Sequence, residues 1–317
     1  MFDPNVLAAF TNGRVHAAAH MADRLDRGYS SWREDTVTDI LCQHTEPYVK
    51  SIQFNGFQEG KNGVDWLCWW RDRTGQCFGS LIQAKNLKRD GRRWSIGFGQ
   101  HSKVGDQIDL LHTSARRFRL PALYMLYTGT PEFRGDLGCG GQHAVSPCQR
   151  CERCSVSVIS ALTVRYKTGL LSAHEMAIDA FQRATPWEDL VDPGLSTGRL
   201  SAIPLRNYVG PSTGRLKSFL LDTQVGSAEI AKRIFSPVHG VRIRQFEALL
   251  AEPVDTEATM VFSDLPVDRG HFSEPYFVHV LQGLRTNLPD YVRDAEQGLP
   301  VPTWVSESVE RIVIIDI

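Results

Sequence analysis

The sequence predicts an α/β fold: a small mixed sheet flanked by helices, carrying a metal-binding, cysteine-rich insertion. Three observations predict it. Between residues 49 and 85 the runs VKSIQFNGF, GVDWLCWWRD and QCFGSLIQAKN are rich in Val, Ile, Phe and Trp, and Gly60, Gly63 and Thr74-Gly75 punctuate them. Segments of helical periodicity stand on both sides of these runs. Four of the 7 cysteines crowd into residues 139–154.

In chain order, residues 5–27 read as one or two helices rich in Ala, His and Arg. SSWREDTVTDILCQHTEPYV reads as the next helix, with Ser31 as N-cap and Val37, Ile40, Leu41 and His44 at helical spacing. Three meandering strands follow. KVGDQIDLLHTSARRF then sets Ile108, Leu111, Ala115 and Phe118 along one helical face, Pro121 ends that helix, and ALYMLYT is a short apolar strand. VRYKTGLLSAHEMAIDAFQRA reads as a helix, and residues 184–216, rich in Pro, Gly and Ser, as a loop. RQFEALLAE and YFVHVLQGLRTNL look helical, and RIVIIDI closes the chain as an apolar strand. This order suggests a core over residues 1–200, with the cysteine insertion at 133–156. Residues 201–317 form a mainly helical part whose last strand is placed to rejoin the core sheet.

The apolar fraction of 42% and charged fraction of 22% fit a globular protein. No run of eighteen apolar residues exists, which argues against a membrane span, and no basic, then apolar, leader opens the chain. The expected compartment is the cytoplasm. Net charge is -1, yet residues 85–119 carry nine cations (Lys85, Lys88, Arg89, Arg92, Arg93, Lys103, Arg116, Arg117 and Arg119) against three acids. Such a segment either holds phosphates or is a solvated basic surface.

Strand periodicity singles out candidate chemistry. In LIQAK, Leu81, Gln83 and Lys85 share one face while Ile82 and Ala84 share the other. Two polar side chains on one face of an apolar strand are costly without partners. One strand earlier Asp65 stands among Val64, Trp66 and Leu67, so a hairpin brings it to Gln83 and Lys85 at one edge. Phosphodiester cleavage uses such a set. Asp65 anchors Mg²⁺ or Mn²⁺, the Gln83 amide oxygen and the Ala84 carbonyl add ligands, and Lys85 polarises the attacking water. The competing readings are a strand-end aspartate and plain polar strand residues.

GVDWLCWW followed by QAK resembles the D-x(n)-(D/E/Q)-x-K signature of the PD-(D/E)XK (restriction-endonuclease-like) phosphodiesterases, in the Gln variant of Mrr-type enzymes. EDTVTDIL, IQAKNL and GDQIDLLHTSARRFRLPALYMLY extend the resemblance over residues 30–130, to bacterial proteins that accompany anti-phage defence. It implies a Mg²⁺-dependent endodeoxyribonuclease acting on DNA, with RNA as the alternative substrate and a homodimer or defence-system proteins as partners. It also implies an acid on the first core helix and a polar residue on the helix after the Lys strand, places matched by Glu34 and Gln107. Glu34 reads equally as half of a capping box with Ser31, and Gln107 as a surface residue. Gln83 departs from the commoner acidic residue and removes a negative charge from the metal site. A catalytically silent, zinc-containing nucleic-acid-binding module is therefore the rival reading.

LGCGGQHAVSPCQRCERCSVS spaces Cys139, Cys148, Cys151 and Cys154 as C-x8-C-x2-C-x2-C, with His143 between. Four close thiols suit a structural Zn²⁺, and an iron–sulfur cluster, with a redox role, is the competitor. No proline follows Cys154, which favours zinc. Cys42, Cys68 and Cys77 read as buried thiols, and Trp66, Trp69 and Trp70 as core.

Overall fold

The computed structural model describes residues 2–54, 63–99, 101–102, 105–141, 148–198, 200, 213–238, 259–262 and 281–317. α1 (Pro4–Asp26) is one unbroken helix whose N-cap, Asp3, accepts a hydrogen bond from the Asn5 amide. α2 (Glu34–Gln43), β1 (Val49–Gln53), β2 (Trp66–Arg71) and β3 (Cys77–Asp90) follow, and β4 (Arg93–Ile96) returns along β3 as a hairpin. β5 (His101–Ser102) and β6 (Gly105–Asp106) form a separate small ladder before α3 (Gln107–Phe118). Next come β7 (Ala122–Tyr127), α4 (Pro131–Arg134), α5 (Gln149–Arg153), β8 (Val156–Ser160), α6 (Ala161–Lys167), α7 (Ala173–Arg183) and β9 (Thr185–Pro186). α8 (Thr213–Leu221), α9 (Gly226–Phe235), β10 (Leu284–Arg285), α10 (Asp290–Glu296), α11 (Thr303–Ser306) and β11 (Arg311–Asp316) complete the elements.

The main sheet runs β1-β11-β2-β3-β7-β8-β9, with β4 and β10 also pairing with β3. β11–β2 and β3–β7 are parallel and the other pairs antiparallel, so the sheet is mixed. Helices cover both faces. Trp66, Cys68 and Trp70 of β2 pack with α1, α2, α8 and α9, while Leu67 and Trp69 pack with α3, α6, α7 and α10. A strand covered on both sides must be apolar throughout, which is why WLCWW reads as a continuous run. The three tryptophans are core residues, at most 1% exposed, and Cys42, Cys68 and Cys77 are buried thiols. Gly79 lies opposite Trp69, and a Cβ there would come within 2.7 Å of the indole; only glycine lets β2 and β3 close at this point. Among the described residues no helix is long and apolar enough to cross a membrane.

Several local expectations are corrected. The three apolar runs do not form a simple meander, because β11 lies between β1 and β2. Ser31 is not the N-cap of α2; the helix starts at Glu34 behind Arg33, which makes no side-chain cap. α3 ends before Pro121, at Arg119 in the left-handed conformation. Residues 164–184 are two helices: Gly169, at φ 81°, turns the chain after α6, and a Ser172–Glu175 capping box opens α7. Within YFVHVLQGLRTNL, Leu284 and Arg285 are extended against Phe78 and Cys77. RQFEALLAE, Lys103 and His143 lie outside the residues described in full.

Candidate active site and metal centre

β2 begins at Trp66, paired with Ile82, so β3 runs on past the start of its neighbour. The amides of Ala84 and Asn86 face that side and find no strand partner there. Two carboxylates take the place of the missing strand. Asp65 Oδ2 accepts from Ala84 N at 2.6 Å, and Glu34 Oε1 accepts from Asn86 N at 2.8 Å. The Asn86 side chain donates to the Trp32 carbonyl at 2.8 Å and pins the start of α2 to β3. Glu34 is thus no capping-box residue; its carboxylate reaches the sheet. On the other face Lys85 Nζ donates to Gln107 Oε1, at the first residue of α3, at 2.7 Å. Gly63, at φ 64°, lets the Asp65 segment approach that helix, since a Cβ would meet the Gln107 carbonyl at 2.8 Å.

The fold therefore gathers Glu34, Asp65, Gln83, Lys85 and Gln107, and does so on central strands, not at an edge of the sheet. Gln83 and Lys85 are buried (4% and 5% exposed). Asp65, Glu34 and Gln107 are partly exposed. Register extends the row: Glu310 N donates to the Asp65 carbonyl at 3.0 Å, and Gln83 pairs with Tyr124 on β7. Glu310 and Tyr124 escaped sequence reasoning. Glu310 becomes a neighbour only through the parallel β11–β2 pairing, and Tyr124 hides in a uniformly apolar strand. Gln83 Oε1 and the Tyr124 hydroxyl are both buried without a hydrogen-bond partner.

Burial pushes the Asp65 carboxyl up to about 7, against the pull of the Ala84 amide and of Lys85, and nearby Glu34 and Glu310 push it further. Burial also raises Glu34 and lowers Lys85. Two carboxyls kept within each other's field at the cost of desolvation suit a hard divalent cation, and the orphaned Gln83 oxygen could serve as a further ligand.

The second cluster lies after β7. The sulfurs of Cys139, Cys148 and Cys151 lie within 4.8 Å of one another, close enough to hold a metal ion. Cys154, the fourth expected ligand, is not in this group. As the C-cap of α5 it leads directly into β8, and its buried side chain packs in the core beneath. Arg134, 1% exposed, stands beside the cluster: Nη2 donates to the Cys151 carbonyl and Nη1 to Thr128 and Gly129. Its guanidinium lies in the field of the Cys154, Cys151 and Cys139 thiols. Among the described residues no carboxylate forms an ion pair with it, and Glu132 acts on it only through its charge.

Residues 8–316 match a family described as "Family of unknown function (DUF6615)". The chain belongs to this family. No curated protein and no solved structure matches it. The DUF6615 match spans α1 to β11, so both clusters and the strand that brings Glu310 lie within it.

In this DUF6615 chain the Asp65 shift sets a pH dependence. A carboxyl that titrates near 7 is protonated below that value, so any affinity for a divalent cation held by Asp65 would fall as pH drops through 7. With metal below saturation, calorimetry should show affinity dropping about tenfold per pH unit below 7 and levelling off above it. A flat profile from pH 5 to 8 would remove Asp65 as the titrating ligand.

Proposed function

We propose that the chain is a metal-dependent endodeoxyribonuclease of the PD-(D/E)XK kind, a cytoplasmic hydrolase of phosphodiester bonds serving bacterial anti-phage defence. The observation that supports this reading is that Asp65 and Glu34 hydrogen-bond the backbone of the β3 stretch that bears Gln83 and Lys85, while Gln107 of α3 hydrogen-bonds Lys85. Asp65 and Gln83 would hold Mg²⁺ or Mn²⁺, which when bound supplies Lewis-acid stabilisation of charge on the phosphate. Lys85, fixed by Gln107, orients the attacking water and offers positive charge where the scissile phosphate gains negative charge. The water oxygen bonds to phosphorus and releases a proton to solvent, the ester bond to the leaving oxygen breaks, and the departing alkoxide takes a proton from solvent. Glu34 holds the end of α2 against β3 and adds negative charge beside the cation. The direct test is cleavage of DNA by the purified chain with Mg²⁺ or Mn²⁺, and its loss in Lys85→Ala.

The neutral Gln83 keeps a second reading alive, a silent DNA-binding module, and supplies its own test. Gln83→Glu adds an anionic ligand at the same place, and Mg²⁺ affinity should rise about tenfold, with cleavage strengthened at low metal. Unaltered metal binding in that variant would place the ion elsewhere.

We assign zinc to Cys139, Cys148 and Cys151, as a structural ion. The ligand atoms within metal-binding range of one another are thiols alone among the described residues, and the buried Arg134 supplies the positive charge that a zinc–thiolate group attracts.

A further inference from the structure

We infer that the β3–β4 hairpin is a rigid arm that grips the phosphate backbone of duplex DNA; this rests on the nuclease reading above. β3 does not stop at the site. Beyond Asn86 it runs past β7 and pairs with β4 from Leu87↔Ile96 to Asp90↔Arg93, turning at Gly91. Lys88, Arg89, Arg92 and Arg93 are all exposed on this hairpin, with Asp90 as the one acid among them. Arg89 is a strut: it lies 5.2 Å over the Trp94 ring and donates to the Phe133 carbonyl. Lys88, Arg92 and Arg93 are different, for no side chain of the three makes an ion pair or hydrogen bond among the described residues. Elsewhere the protein spends its arginines internally, as in Arg71 with Asp316 and Glu296, or Arg153 with Glu188 and Asp189.

The hairpin is also anchored. Trp94 is buried, packs edge-on to Phe133, and its amide donates to His174 Nδ1 on α7 at 2.9 Å. Lys88 stands on the same face of β3 as Asn86, the residue that Glu34 holds, and feels the Glu34 charge. Arg93, opposite Asp90, shares that face. Lys88 and Arg93 therefore line the side from which Glu34 enters the site, and Arg92 stands in the turn between them.

Geometry and composition select the partner. At about 3.3 Å per residue, the five steps from Lys85 to Asp90 span about 17 Å, the length of about five base pairs. The one tryptophan of the hairpin faces inward, so the arm has cations and no stacking platform, which suits a duplex backbone better than unstacked bases.

The test uses the full chain with Lys88→Gln, Arg92→Gln and Arg93→Gln combined, all surface changes. Without divalent metal, binding to a duplex longer than the arm's reach should weaken about 10- to 100-fold at physiological salt. The log–log salt slope should lose about two to three units. With Mg²⁺, KM should rise while kcat stays within about twofold. Wild-type duplex affinity in the variant overturns the arm, and so does a loss confined to single strands or to RNA. A wild-type chain that binds duplex but cuts none, with binding lost in the variant, sinks the nuclease reading and leaves the arm standing.

Discussion

Lys85→Ala is expected to lower DNA cleavage at least about 10²- to 10³-fold, the usual cost of removing one preorganised charge from a transition state. Lys85 is two residues from Gln83 on the same strand face, and among the described residues Gln107 alone hydrogen-bonds its amine. A near-isosteric Lys85→Met keeps the aliphatic stem packed and removes only the charge. Both variants should melt close to the wild type, because Lys85 is held there against its own desolvation, which lowers its proton affinity. Cleavage at the wild-type rate by either variant would falsify the role given to Lys85.

Asp65→Asn separates chemistry from architecture at the same site. Asn keeps an oxygen for the Ala84 amide, so the strand end stays capped, while the negative charge goes. A group whose folded pKa is raised contributes stability below its unfolded value and loses it as pH climbs through the folded one. Asp65, raised from 3.8 to about 7, is therefore a burden at pH 8. With part of the residue open to solvent, its removal should stabilise the metal-free chain by about 1–2 kcal/mol. Activity that disappears while the metal-free protein gains stability marks a charge kept for function. A variant that loses both would return Asp65 to the status of a strand cap.

What could be read in advance follows the range of the interaction. Gln83 and Lys85 on one face, and Asp65 across the hairpin, follow from the two-residue period of adjacent strands. The buried face of α3 follows from its 3.6-residue period, with Ile108, Leu111, Ala115 and Phe118 all buried. The capping box that divides α6 from α7 was present as Ser172-x-x-Glu175, but the apolar spacing on either side hid it. β8 went unread because serines alternate with its valines; Ser155 and Ser157 are nevertheless buried, their hydroxyls bonded to nearby carbonyls. The place of β11 was beyond reach: Ile312 to Ile315 pair on one side with β1 and on the other with β2, more than two hundred residues away. No local pattern encodes that insertion, and Glu310 at the site depends on it.

Removing the cysteine-bound metal should have the second large effect, on stability, and Arg134 decides how it will show. Elemental analysis should find about one zinc per chain, lost on chelation or in Cys151→Ser; iron and a brown colour would replace zinc by a cluster. Three thiolates and Zn²⁺ carry a net −1, which answers the buried guanidinium beside them. Once the ion is gone and the thiols are protonated, that guanidinium is a buried charge hydrogen-bonded to carbonyls and a hydroxyl, with the charge of exposed Glu132 left to oppose it. An uncompensated buried charge costs about 3–5 kcal/mol. At roughly 2–4 °C per kcal/mol, the melting temperature should fall by about 10 °C. Arg134→Met supplies the control, because its sign inverts. In the zinc-loaded protein it removes the partner of the metal–thiolate group and lowers the melting temperature. In the chelated protein it removes the stranded charge and raises it. The same sign in both states would mean that Arg134 braces the loop by packing against Phe181 alone, with no charge to answer.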